Sequence, residues 1–145
     1  MTPPTARDHQ YDGVPLAMFA AVLMLASFAT AAVALWLFAV TTWVLPARDP
    51  GHITMWRWVA LGFSAFCALS WGCIATGARR ALLRWSVLAL SLAAIGLGGW
   101  GIARMLRETN GGAHFEGYLL LMGLVLVGHG LAGAVYAVRA AVERA

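Results

Sequence analysis

Charged residues are spaced so that they leave four long stretches with none: residues 15–47, 58–78, 85–103 and 117–138. A bilayer crossing needs about 20 consecutive apolar residues in a helix. The last three stretches have that length. The first is longer, and as one helix it would run roughly 48 Å against a hydrocarbon core of about 30 Å. Two crossings would require a charged or turn-rich break in its middle, and none is present. The pattern therefore predicts an all-α membrane protein with four transmembrane helices in an up-down bundle, over about 15–46, 54–78, 83–106 and 115–139.

The connections carry their own signals. Pro46 and Pro50 bracket the segment Ala-Arg-Asp-Pro-Gly-His and end the first helix. Residues 109–114, Thr-Asn-Gly-Gly-Ala-His, form a turn between the third and fourth helices. Residues 78–84, Ala-Arg-Arg-Ala-Leu-Leu-Arg, form a tight link between the second and third. Trp43, Trp56, Trp58 and Trp100 fall at one membrane interface, with Trp85 and Tyr136 nearer the other, as expected of an aromatic belt. Residues 1–14 are a polar N-terminal segment, 15–139 the transmembrane domain and 140–145 a short C-terminal tail. The first apolar run is too long for the core of a signal peptide and is read as an uncleaved helix.

Composition agrees with this pattern. The chain is 61% hydrophobic and 11% charged, where a soluble domain carries about 25% charged residues. Every basic residue is arginine, which suggests a GC-rich bacterial genome and hence a bacterial inner membrane. With four crossings both termini share a side. That side holds Arg7, Arg79, Arg80, Arg84, Arg139 and Arg144, against Arg48, Arg57, Arg104 and Arg107 on the other. The positive-inside rule then predicts cytoplasmic N and C termini.

Helices in lipid associate through close backbone approach and polar contacts. The second helix carries Ala60, Ser64, Ala68, Gly72 and Thr76 at every fourth position. The fourth carries His129, Gly133, Ala137 and Ala141 on a similar line, and the third is rich in glycine at Gly96, Gly98, Gly99 and Gly101. Ser64, Ala68, Gly72, Thr76, Gly133 and Ala137 are the residues expected to let helices pack closely. Cys67 and Cys73 lie about 240° apart around their helix and cannot pair with each other.

Gly128, Gly130 and Gly133 formally spell the dinucleotide fingerprint. That motif works at a strand-to-helix turn, where the pyrophosphate meets a helix N-terminus. Here it lies within a membrane span, so the match is fortuitous. His129, between two of these glycines, is the only ionisable side chain near the membrane midplane apart from the thiols, about 15 Å deep. An ionisable residue at that depth faces the bundle interior. The neutral imidazole is its cheaper form there, since hydrocarbon penalises charge. Ser27, Ser64, Cys67 and Ser91 lie at matching depth as hydrogen-bond partners. The other readings of His129 are a polar lining for a solute, proton or quinone path, and an axial ligand of haem. Haem would need a second ligand. His52 and His114 lie near the opposite surface and His9 in the polar N-terminal segment, which leaves Met24 or another subunit.

The non-cytoplasmic face gathers Asp49, His52, His114 and Glu116, residue types that suit zinc or copper but at no metal-motif spacing. Arg104, Arg107 and Glu108 read as an interfacial boundary with snorkelling side chains. No carboxylate lies inside any span, which argues against a proton-driven pump. The first-helix glutamate of guanidinium-type exporters and the paired loop cysteines of membrane disulfide-forming proteins are both absent. The loops leave no room for a catalytic domain, and nothing suits a nucleic-acid partner. The leading expectation is a non-catalytic accessory or scaffolding subunit of a larger membrane assembly, contacting the lipid bilayer and protein partners or further copies of itself. The alternatives are a self-assembling permease or channel with His129 lining the path, and a haem- or quinone-binding redox subunit.

Overall fold

The computed structural model describes residues 15–44, 50–108 and 116–143. It contains helices α1 (Leu16–Ala39), α2 (Pro50–Ala75), α3 (Ala81–Glu108) and α4 (Glu116–Val142). All four are long and apolar enough to cross a membrane. Pro15 sits extended before α1, and its carbonyl accepts from the Met18 amide. Helix α2 starts at Pro50, earlier than the expected residue 54. Proline fits the first turn of a helix, where its missing N–H has no partner to lose.

The long first span stays helical but changes pitch. Residues Val40–Val44 form a π turn at the end of α1. The Thr41 hydroxyl donates to the carbonyls of Leu37 and Phe38, at 2.8 and 3.1 Å, where the turn widens. Helix of this pitch is rare and occurs mostly as single turns within or at the end of α-helices.

Between α2 and α3 the chain reverses through Gly77 and Ala78, both in the left-handed region at φ 57° and 55°. The Gly77 amide donates to the Ile74 carbonyl and the Ala78 amide to that of Cys73, closing the end of α2. Left-handed backbone costs a residue with a Cβ about 1–2 kcal/mol, which glycine avoids. Gly77→Ala is therefore expected to lower stability by about 1 kcal/mol. Gly77→Asn should recover part of that loss, since asparagine tolerates this conformation. Thermal unfolding in detergent, followed by circular dichroism, measures both.

The buried positions of α1 are Leu23, Ser27, Thr30, Ala34, Leu37 and, in the π turn, Thr41. Their spacing alternates between four and three, the seam of a coiled coil. The buried positions of α3, Val87, Ser91, Ala94 and Gly98, follow the same alternation. Helix α1 meets α4 in antiparallel layers seven residues apart. Leu23 shares a core cluster with Tyr136, Thr30 bonds to His129, and Leu37 shares a second cluster with Met122.

Helices α3 and α4 cross closest, and glycine makes the approach achievable. A Cβ on Gly98 would lie 2.7 Å from the Gly123 carbonyl oxygen, and one on Gly130 would lie 2.7 Å from that of Ser91. A Cβ on Gly133 would run into the Ser91 hydroxyl, which is buried and makes no hydrogen bond. By contrast Gly96, Gly99, Gly101 and Gly128 would each gain a Cβ in open space.

The outer surface is apolar. Leu25, Leu35, Leu82 and Leu97 are exposed, and Trp58, Trp85 and Trp100 stand outward as interfacial anchors. Tyr136 does not join that belt: it is 2% exposed and packs in the core with Leu23, Cys73 and Val87. A bundle with polar seams and an apolar exterior is ordered for lipid, and the chain is a multi-pass integral membrane protein.

Candidate functional site

His129 projects from α4 into the centre of the bundle and is fully buried. Two hydroxyls from two other helices grip its ring. Nδ1 lies 2.9 Å from Thr30 Oγ1 on α1, and Nε2 lies 3.0 Å from Ser70 Oγ on α2. The Phe66 ring stacks on the imidazole, with centroids 4.0 Å apart and planes 14° apart.

The protons in this cluster can be assigned from the network. Thr30 donates its hydroxyl proton to the Ala26 carbonyl, at 3.0 Å. Its oxygen must then accept from His129, which places the ring proton on Nδ1. Nε2 carries a lone pair and accepts from the Ser70 hydroxyl. The result is a directed chain from Ser70 through His129 and Thr30 to a backbone carbonyl. Each polar atom in it has a partner, as burial in hydrocarbon demands.

A neighbouring cluster repeats this logic one turn away. Ser27 donates to the Met24 carbonyl at 2.8 Å, and its hydroxyl oxygen accepts the Trp71 indole N–H at 2.6 Å. The Ser27 carbonyl accepts the Cys67 thiol at 3.2 Å. The α1 hydroxyls thus send their protons back to their own helix and present oxygen lone pairs to α2 and α4.

The ring's partners differ from those that depth suggested. Ser27 and Cys67 bind each other's helices, Ser64 turns to the Ala60 carbonyl, and the Ser91 hydroxyl makes no hydrogen bond. Counting residues from a membrane surface gives depth but not the rotation of a helix about its axis. Of the small residues expected in packing, Gly133 and Ala137 are buried in α4, Gly72 and Thr76 are half-buried, and Ser64 and Ala68 are exposed. Cys67 and Cys73 are free thiols. Asp49 and His114 lie outside the described residues, as do the side chains of His52 and Glu116. Among the described residues no group of histidine, cysteine and carboxylate side chains could hold a metal.

Chemically, this arrangement fastens helices. A serine hydroxyl 3.0 Å from an imidazole has the spacing of a nucleophile and its base. Ser70 and His129 are nevertheless both fully buried, so no substrate bond can reach them. Haem does not fit this histidine either. Both ring nitrogens are engaged and Phe66 covers a face, while Met24 is 44% exposed on the outside of α1.

Two clefts among the described residues open on the outer faces of the bundle. A cleft of about 370 Å³ opens between α1 and α2, and a groove of about 440 Å³ opens between α2 and α3. His129 lines neither of them. No protein-family model, no curated protein and no solved structure matches the chain.

Proposed function

We propose that the chain is a non-catalytic accessory or scaffolding subunit of a larger assembly in a bacterial inner membrane, with both termini in the cytoplasm. The observation that carries this reading is the cleft between α1 and α2. Its walls include Ala31, Ala34, Ala60, Ser64 and Ala68, and Ser64 and Ala68 are exposed on it. Leu35, Phe38, Leu61 and Trp71 also line the cleft and flank this strip. A strip of small side chains on an outer face lets the backbone of another helix come close, which is how helices associate in lipid. The permease and redox readings require an imidazole that a solute or cofactor can reach, and His129 is held on both nitrogens inside the bundle.

Filling the cleft tests this. Gently solubilised wild-type protein is expected to run as a complex larger than one chain, and the Ser64→Leu/Ala68→Leu double variant as a folded monomer. Size-exclusion chromatography with light scattering reads the particle mass, and intact-mass spectrometry separates a second copy from a different subunit. A monomeric wild-type particle, or a double variant that assembles unchanged, refutes the reading.

A further inference from the structure

The groove between α2 and α3 has a different character from the α1–α2 cleft. Its walls include Trp56 and Phe66 on α2 and Leu90 and Gly101 on α3, with Met122 and Leu126 of α4 as its floor. From Leu90 to Gly101 it follows α3 for about 16 Å. The hydrocarbon core is about 30 Å thick, so the groove is one leaflet deep. A transmembrane helix would need the full thickness, whereas an acyl chain needs one leaflet.

At its interfacial end the groove reaches Trp100, which also lines a second cavity of about 260 Å³ with Ala103, Arg104 and Arg107. The Arg104 guanidinium lies 5.6 Å from the Trp100 ring centre. One tryptophan thus joins an apolar slot to a small pocket on α3 whose lining includes Arg104 and Arg107. Guanidinium binds phosphate oxygens through paired, charge-assisted hydrogen bonds. The apolar slot, its depth and the charge at its mouth match the parts of a single amphiphile.

We propose that α2, α3 and α4 form a binding site for one anionic glycerophospholipid. An acyl chain lies in the groove, and the phosphate sits against Arg104 and Arg107 beside Trp100. The site is separate from the α1–α2 cleft and stands or falls independently of the subunit reading. Gly62 and Gly101 line the slot, and a Cβ at either position would project into its open space.

The test is native mass spectrometry of the full chain released from nanodiscs of equal phosphatidylglycerol and phosphatidylcholine. Wild-type protein is expected to retain one phosphatidylglycerol with about tenfold preference over phosphatidylcholine. Arg104→Gln/Arg107→Gln should abolish the preference, leaving the two lipids equally retained. Gly62→Phe should block the slot and reduce retention of both lipids, with circular dichroism confirming that the helices remain. Equal retention of the two lipids by wild-type protein overturns the proposal. So does a preference that survives loss of both arginines, or a peptide segment occupying the groove in the released particle.

Discussion

Leucine at Gly130 or at Gly98 is expected to destabilise the bundle by about 3 kcal/mol, at the upper end of overpacking effects. At either position the first atom added already lies 2.7 Å from a backbone carbonyl oxygen of the facing helix. Backbone cannot rotate aside as a side chain can, so α3 and α4 must separate along their closest crossing. Gly133→Ala should cost less, because the atom it meets is the Ser91 hydroxyl at the end of a side chain. Gly99→Ala and Gly128→Ala point into open space and serve as controls, with little change expected. Equilibrium unfolding in mixed detergents, followed by tryptophan fluorescence, orders these variants. Equal stability of Gly130→Leu and Gly128→Ala would refute the close crossing.

The second large effect is at His129. Replacement by alanine removes two hydrogen bonds and a stacked ring and leaves a void, for an expected loss of about 3–4 kcal/mol. Replacement by leucine fills much of the space and should cost less, about 1–2 kcal/mol. Thr30 keeps its bond to Ala26, and Ser70 can turn back to a carbonyl of its own helix, so neither hydroxyl is stranded. The couplings of His129 to Thr30 and to Ser70, read with Thr30→Val and Ser70→Ala, should each be about 0.6 kcal/mol, the average for hydrogen bonds between membrane helices. Double-mutant cycles with His129→Leu measure the two couplings separately. Nitrogen-15 spectra of the labelled ring should place its proton on Nδ1. A proton on Nε2 would reverse the direction of the chain and sink the assignment. A His129→Leu variant as stable as wild type would show that the ring does not fasten the bundle.

Much of this fold is legible in the sequence. Four uncharged runs gave four helices, because the length of a span is set by membrane thickness. The burial of His129 followed from the cost of a polar ring in lipid, and Gly133 and Ala137 belong to a line of small residues that the structure buries. The partners of His129 were less legible. Helix α1 is apolar all round, so hydrophobicity says nothing about which side faces inward. The available signal was the reverse of the soluble one: Ser27, Thr30 and Thr41 lie on one seven-residue repeat within an apolar helix and mark its inner side. Gly123 was hidden for a related reason. A glycine is informative only when the opposite helix is known, and Gly96, Gly99 and Gly101 are as conspicuous in sequence as Gly98 but face open space. The arginine pocket could be read as an interface, but not as the mouth of a groove whose other wall lies some forty residues earlier.

The reversal at Gly77 and Ala78 divides the molecule into two helical hairpins of similar size. His129 belongs to the second hairpin, and both of its hydrogen-bond partners belong to the first. Each hairpin can enter the membrane as a finished unit with its backbone satisfied. Their union is then a recognition event within the bilayer, in which one imidazole finds one pair of hydroxyls. Sliding the hairpins by a turn would part the ring from Thr30 and Ser70, with Ser27 or Ala34 taking the place of Thr30 on the α1 seam. The histidine therefore favours the one alignment that gives it both hydroxyls.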